Sequence, residues 1–222
     1  MDLNTLHKHR FEIFFFSLIC VLFGSLFFPK GLFATYISPI LFLINILSGL
    51  LFFIKKLRLI KIVSGLFIVV FSIFLINVIK ASEDSSLRYL RLIIYFLFYC
   101  VVTISIIKQV WSATAVDKSV IFGLMSGYIS IGLIGFFTFY CIELAIPGSF
   151  NGIPADLSVT DKIEELLYFS YITVLTIGYG DIAPYSEMAR KAAVLFGMIG
   201  QFYMVIITAV VIEKYIRHTH ES

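Results

Sequence analysis

The stretch 176–181, Thr-Ile-Gly-Tyr-Gly-Asp, has the residue types and spacing of a cation site built from backbone oxygens. Successive carbonyls turn to one side only if some residues adopt a positive φ, and glycine does so without a Cβ clash. Such carbonyl oxygens, together with a threonine hydroxyl, replace the water shell of a dehydrated ion. The stretch therefore predicts recognition of a cation and not covalent catalysis.

The same six residues resemble the signature of the potassium-channel family. They follow a mostly apolar, aromatic-rich segment, 163–175, and precede Pro184 and a long hydrophobic run. An ordinary glycine turn would need neither neighbour. The resemblance implies a K⁺ selectivity filter, with K⁺ as the permeant ion and no cofactor. The residues predicted to bind K⁺ are Thr176, Ile177, Gly178, Tyr179 and Gly180.

Support for the outer mouth of the pore also follows from the resemblance. Asp181 matches an acidic residue that commonly braces the mouth, and many family members pair it with a tryptophan on the pore helix. Tyr168 and Phe169 lie where aromatic residues often surround the filter. We align Phe169 with the tryptophan, and phenylalanine cannot donate a hydrogen bond. Asp181 is therefore predicted to be braced weakly unless Tyr168 or a water takes that place.

Composition indicates an integral membrane protein. Sixty per cent of the 222 residues are hydrophobic, 17% are aromatic and the mean hydropathy is +1.00. Lipid leaves no water for an open backbone, so the spans must be helices. We predict an all-α fold with six transmembrane helices plus a re-entrant pore helix and filter loop. The runs, uncharged except for Glu12, are 11–28, 32–54, 62–79, 92–107, 120–142 and 192–212.

Two modules are expected along the chain: a four-helix front module, 1–108, and a pore module, 119–222, joined by a linker, 109–118. Lys55, Lys56, Arg58 and Lys61 form a tight basic cluster between the second and third runs. The positive-inside rule then puts both termini in the cytoplasm. The filter loop enters from outside, in the plasma membrane or the bacterial inner membrane.

The pore module should contain an irregular extracellular turret at 144–162, because glycine and proline recur there. Asp161 and Glu164 resemble a capping box, which predicts that the pore helix starts at Asp161 and ends near Leu175.

Polar and small residues in the last run are candidates for roles in the pore. Gly197 and Gly200 fit either a hinge, as the family often has there, or close helix packing. Gln201 and Thr208 are polar residues in an apolar span, where such side chains usually face a cavity or a neighbouring helix. Thr208 is the better candidate for lining the cavity.

The front module has the topology of a voltage sensor but few of its charges. Arg88 and Arg91 lie at the outer end of the fourth run, whereas the next positions in that rhythm, Ile94, Leu97 and Cys100, are uncharged. The two arginines are candidate sensor residues or, alternatively, interfacial anchors. We expect conductance that depends weakly or not at all on voltage.

These features predict a homotetrameric K⁺-selective channel in the lipid bilayer, since one chain supplies one filter loop and the family needs four. The chain is not predicted to be an enzyme, and its net charge of +3 suggests no nucleic-acid partner. The alternatives are a non-conducting accessory subunit of another channel, a poorly selective cation channel, and a potassium transporter with degenerate filter loops.

Overall fold

The computed structural model describes residues 3–54, 56–80, 85–113, 117–154 and 156–220, which are mostly helical. Side chains of residues 3–5, 77–80, 85, 86, 88 and 211–220 lie outside the described part. The α-helices in these ranges are α1 (Leu3–Lys8), α2 (Arg10–Phe23), α3 (Lys30–Leu32), α4 (Ser38–Leu50), α5 (Leu57–Lys80), α6 (Ser85–Trp111), α7 (Lys118–Ala145), α8 (Val159–Val174) and α9 (Glu187–His220).

Within the described ranges, five helical segments are long and apolar enough to cross a membrane. They are Lys30–Phe53, Leu57–Ile76, Tyr89–Trp111, Lys118–Ala145 and Glu187–Val210. This number supports a multi-pass, all-α membrane protein. The predicted third and fourth runs were short, but α5 and α6 extend beyond them at both ends. Long basic side chains there can reach the interface while their stems stay in lipid.

The first predicted run, 11–28, does not form one long α-helix. Helix α2 has 14 residues and is followed by a 3₁₀ turn at Gly24–Leu26. At about 1.5 Å per residue α2 is roughly 21 Å long, less than the hydrocarbon thickness of about 30 Å. A sixth span therefore stays a prediction.

A front unit, Met1–Ala113 with Asp117–Gly127, has a core that contains neutral polar groups. The fully buried Asn45 donates from Nδ2 to the Ser17 hydroxyl and accepts from the Tyr99 hydroxyl at its Oδ1, both at 2.8 Å. Ser48 donates to the Asn45 carbonyl oxygen over 2.7 Å. This network joins α2, α4 and α6, and it keeps buried polar groups satisfied in lipid.

The second unit comprises Tyr128–Ser222 together with residues 114–116. The division between the units lies inside α7, between Gly127 and Tyr128. The predicted modules, 1–108 and 119–222 with a linker at 109–118, stay a prediction. The beginning of α7 packs in the front unit, where Ser119 donates to Glu12 over 3.1 Å and the Phe122 ring lies 5.2 Å from that of Phe15. A continuous helix gives no sequence signal for such a division.

The second unit contains two short strands, one before α8 and one after residues 176–181. β1 (Phe150–Asn151) and β2 (Ala183–Pro184) pair antiparallel, with Phe150 opposite Pro184 and Asn151 opposite Ala183. The strands join the loop before α8 to the segment after residue 181.

The start of α8 corrects the predicted cap. The helix begins at Val159, and Ser158 is its N-cap, with a hydroxyl that accepts from the Asp161 backbone N–H at 3.2 Å. The same hydroxyl donates to the Asp161 carboxylate over 2.7 Å. Ser158 and Asp161 therefore form the S-x-x-D pair, one turn before the predicted pair Asp161 and Glu164.

Candidate functional site

The filter segment, residues 176–181, begins as the C-terminal cap of α8. The Thr176 N–H donates to the Thr173 carbonyl at 3.0 Å, and the Ile177 N–H donates to the Ile172 carbonyl at 2.9 Å. These are the two bonds of a Schellman motif, which requires a left-handed residue just past the helix. Thr176 is that residue, with φ of 58°. A β-branched residue rarely adopts this conformation, so the backbone is strained here.

The sign of φ alternates through the filter segment. Thr176, Gly178 and Gly180 have φ of 58°, 61° and 83°, whereas Ile177 and Tyr179 have negative φ. A positive φ at every second residue is the condition under which successive carbonyls can turn to one side and successive N–H groups to the other. Five consecutive residues can therefore present a row of oxygens. The sequence indicated this geometry for the two glycines but not for Thr176.

The outer end of the filter segment is held by Tyr168, on α8. Its hydroxyl donates to the Asp181 carboxylate over 2.7 Å. This hydrogen bond lowers the pKa of the Asp181 carboxyl, and the carboxylate raises the pKa of Tyr168 to about 12. Both groups are exposed in the single chain.

Phe169 does not occupy the predicted place beside Asp181. Its ring is buried and packs edge-on against Phe139 and Phe150, with centroids 5.0 Å and 5.2 Å away. The alignment of Phe169 with a donor position is therefore wrong, and Asp181 does have a donor from α8. Neighbouring residues on a helix point about 100° apart, so an error of one position exchanges the two roles.

The loop before α8 approaches the filter segment through Gly152. A Cβ at Gly152, where φ is 92°, would overlap the Asp181 carbonyl oxygen. Only glycine lets the two backbones meet this closely.

A buried carboxylate at the end of α7 fixes the start of the same loop. Glu143 accepts from the backbone N–H groups of Gly148 and Ser149, at 3.0 Å and 2.9 Å. The Ser149 carbonyl accepts from the Tyr185 N–H at 2.7 Å, next to β2. Glu143 was not among the residues predicted from the sequence, although a carboxylate followed closely by Pro147-Gly148 was an available signal.

Three hydroxyl groups tie α8 to α7 in the second unit. Ser170 donates to the Gly132 carbonyl at 2.6 Å, and Tyr171 donates to the Ile129 carbonyl at 2.8 Å. In the opposite direction, Tyr128 donates to the Val174 carbonyl at 3.0 Å. These three residues were not predicted from the sequence, because the sequence of an aromatic-rich span does not show which group a hydroxyl will bond.

Gly200 lies against the end of α8. A Cβ at Gly200 would overlap the Val174 carbonyl oxygen, whereas the nearest atom to a Cβ at Gly197 would be the Thr173 carbonyl oxygen, 4.0 Å away. Helix α9 continues without interruption through both glycines. The close approach gives Gly200 a packing role, and a hinge at Gly197 and Gly200 stays a prediction.

The remaining candidates lie on exposed surfaces or outside the described part. Gln201 and Thr208 are exposed in the single chain, and the Thr208 hydroxyl donates to the Met204 carbonyl at 2.7 Å. Arg91 is half-buried near the start of α6. The Arg88 side chain lies outside the described residues. No group of three or more metal-ligating side chains occurs among the residues that were described.

Two comparisons with known proteins bear on the class of protein to which this chain is similar. Residues 128–217 match the model of a family described as "Ion channel", a match that starts where the second unit starts. A stretch of 79 residues is 34% identical to "Two pore potassium channel c" of Oryza sativa subsp. japonica. It covers 36% of this chain and only 15% of the rice protein. The two similarities support an ion channel and the resemblance to the potassium-channel family.

Proposed function

We propose that the chain forms a K⁺-selective channel in which residues 176–180 are the selectivity filter. The alternating φ of the filter segment carries this proposal. It lets the carbonyls of 176–180 and the Thr176 hydroxyl face one axis, where they replace the water around a K⁺ ion. No residue has to form a covalent bond, and K⁺ is the transported ion and not a cofactor.

The exposure of the filter segment supports a homotetramer. Residues 175–181 are exposed in the single chain, and Tyr179 retains 72% of its accessible surface. One chain contributes one loop, and four loops around an axis enclose an ion. Large apolar side chains of α9 are also exposed and would face lipid or another copy. They include Val194, Leu195, Met198, Phe202 and Val205.

Two of the rival functions differ from a K⁺ channel in how many filter loops one polypeptide carries or in whether the Gly-Tyr-Gly core is intact. A transporter with degenerate loops would carry four of them in one polypeptide, whereas this chain has one. A poorly selective cation channel would be expected to lose the Gly-Tyr-Gly core, which is intact here. A non-conducting accessory subunit shares every feature of the single chain. Conduction by the purified chain alone separates it from a channel.

Selectivity is the direct test. In liposomes that contain only this purified protein, K⁺ and Rb⁺ should pass at least about 100-fold faster than Na⁺ or Li⁺. A discrimination of that size requires about 2.8 kcal/mol at 1.4 kcal/mol per factor of ten. Planar-bilayer recordings should give a reversal potential that follows the K⁺ gradient. A reversal potential that ignores the K⁺/Na⁺ ratio would contradict the proposal, and no current would favour the accessory subunit.

Weak voltage dependence belongs to the same proposal. A charge that crosses the whole field contributes about 2.3 kcal/mol per 100 mV and needs partners along its path. Among the described residues of the front unit, the acidic side chains are Glu12 and Asp117, near the starts of α2 and α7. The buried polar groups around Asn45 are neutral. The same recordings should show a shallow conductance–voltage curve.

The hydrogen bond from Tyr168 to Asp181 predicts how the outer mouth responds to acid. Because the pKa of Asp181 is lowered, the bond is fully present above the ordinary carboxyl pKa of about 4 and is lost as pH falls through the lower value. Tyr168→Phe removes the donor, so the Asp181 pKa should rise towards its ordinary value. Loss of K⁺ current on external acidification should then begin at a higher pH in Tyr168→Phe than in the wild type.

The matched control for this experiment is Tyr185→Phe, which removes an exposed hydroxyl near β2. It should leave the pH profile of the K⁺ current unchanged. Identical profiles for the wild type and Tyr168→Phe would show that the bond does not support the conducting mouth. The K⁺/Na⁺ ratio should also be measured for the wild type and for Tyr168→Phe. If loss of the bond between Tyr168 and Asp181 widens the outer mouth, the conductance should change before that ratio does.

A further inference from the structure

The last four backbone carbonyls of α8 accept hydrogen bonds from two different parts of the chain. A helix leaves these four groups without partners inside the helix itself. Backbone N–H groups of Leu175, Thr176 and Ile177 bond to three of them, at Tyr171, Thr173 and Ile172 respectively. The fourth, at Val174, accepts from the side chain of Tyr128, which belongs to α7. Residues 175–177, which lead into the filter segment, therefore supply donors to three of these carbonyls, and α7 supplies the donor to the fourth.

The Val174 carbonyl is also where α9 comes closest to α8. The missing side chain of Gly200 makes room for that oxygen. One turn further along α9, the Tyr203 ring stacks on the Tyr128 ring, with centroids 5.5 Å apart and planes at 27°. The Val174 carbonyl thus accepts from a hydroxyl of α7 and lies against a glycine of α9. The stacked pair of Tyr128 and Tyr203 connects those two helices.

The bond from Tyr128 lies close to the strained part of the filter segment. Val174 is two residues before Thr176, whose φ of 58° is maintained by the cap of α8. A strained conformation persists only when its surroundings hold it. Val174 is buried, and a buried carbonyl that loses its donor is costly unless it finds another partner, which movement of the end of α8 can supply.

We propose that Tyr128 is a positioning residue of the filter. Its hydroxyl holds the Val174 carbonyl, fixes the end of α8 and so keeps Thr176 in the conformation that directs the filter oxygens. Displacement of α9 at Gly200 reaches the filter through the same carbonyl. This role rests on the proposed K⁺ channel, in which residues 176–180 bind the ion.

Amide hydrogen exchange on the purified full-length protein tests the positioning step without any measurement of current. In Na⁺ medium, peptides that cover residues 174–178 should exchange about fivefold faster in Tyr128→Phe than in the wild type. Fivefold corresponds to about 1 kcal/mol at 1.4 kcal/mol per factor of ten, as expected for one hydrogen bond. Phenylalanine retains the ring that stacks on Tyr203, so the variant should fold. The control Tyr185→Phe should exchange like the wild type.

Addition of K⁺ distinguishes a filter role from a general packing role. An ion that binds the ordered filter stabilises it by mass action. Saturating K⁺ should therefore slow exchange at 174–178 and shrink the difference between Tyr128→Phe and the wild type to less than twofold. A packing defect in α7 alone would leave a difference that K⁺ does not change, and that result would overturn the proposal.

Current measurements complete the test. In bilayers, Tyr128→Phe should keep its K⁺/Na⁺ ratio in high external K⁺ and lose current faster than the wild type when external K⁺ is lowered. Equal exchange in Na⁺ medium, or unchanged current at every K⁺ concentration, would refute the role of Tyr128. If the wild type passes no K⁺, the channel proposal fails by itself. The exchange difference in Na⁺ medium still decides whether Tyr128 holds the end of α8.

Discussion

Gly178→Ala and Gly180→Ala should each abolish K⁺ flux while the protein still assembles. The two glycines have φ of 61° and 83°, and a left-handed conformation costs a residue with a Cβ about 1–2 kcal/mol. Within the described part of the single chain, and apart from the adjacent residues, no heavy atom lies within 4 Å of a Cβ built at either position. The expected damage is therefore a change in the direction of the carbonyls and not a collision. In the proposed tetramer, four copies of the filter would multiply the penalty around one axis.

Gly148→Ala is the matched control for both filter variants. Gly148 has φ of 80° and equally open space for a Cβ, but it lies in the loop between α7 and β1. Its replacement imposes a similar backbone penalty away from the filter segment, so flux should persist. Cross-linking and size-exclusion chromatography would verify that all three variants assemble. Loss of flux in Gly148→Ala as complete as in Gly178→Ala would attribute the effect to stability and not to ion coordination.

The sequence predicted those parts of the fold that depend on local composition. Five of the six uncharged runs correspond to helical segments long and apolar enough to span a membrane, because lipid excludes charge and requires helices. The glycines of the filter segment indicated positive φ for a steric reason that any sequence reveals. The positive φ of Thr176 was not predictable in this way. It arises because α8 ends at Val174 and Thr176 is the left-handed residue of its cap. The exact end of a helix is not fixed by composition alone.

The direction in which each side chain of α8 points limited the prediction of the candidate site. Tyr168 and Phe169 are adjacent, and the sequence could not tell which of them faces Asp181. The structure separates them, because Phe169 fits between Phe139 and Phe150 while Tyr168 reaches the carboxylate. The expected weakness of the outer mouth depended on that choice and is replaced by a direct tyrosine–carboxylate bond.

The hydrogen-bond partners of Tyr128 and Glu143 were not predicted from the sequence, although Pro147-Gly148 marked a turn close to Glu143. Tyr128 and Glu143 lie in or beside the run 120–142, and the sequence treats them as residues of a span and of its interface. Their function in the structure comes from backbone groups 46 and 5–6 residues away, at Val174 and at Gly148 and Ser149. Hydrogen bonds to backbone atoms leave no trace in the identity of the partner residue.

Gly200→Ala should damage the pore far more than Gly197→Ala. The Cβ at position 200 would overlap the Val174 carbonyl oxygen and would approach the Val174 side chain to 3.0 Å. Overpacking of this kind typically costs about 1–3 kcal/mol, here once in each copy. A Cβ at position 197 has its nearest neighbour at 4.0 Å. Alanine there should be neutral or stabilising by up to about 1 kcal/mol, because it favours the helix over glycine.

Melting temperatures and K⁺ currents of the two variants decide between packing and hinge. If close packing is the role of Gly200, Gly200→Ala lowers the melting temperature and reduces the current, whereas Gly197→Ala does neither. If α9 bends at this place, both alanines stiffen the helix and both should change opening, with melting temperatures that stay level or rise. At position 197 the two outcomes differ in whether opening changes, and at position 200 they differ in whether the melting temperature falls. A stable Gly200→Ala variant with altered opening would therefore contradict the packing role and restore the hinge.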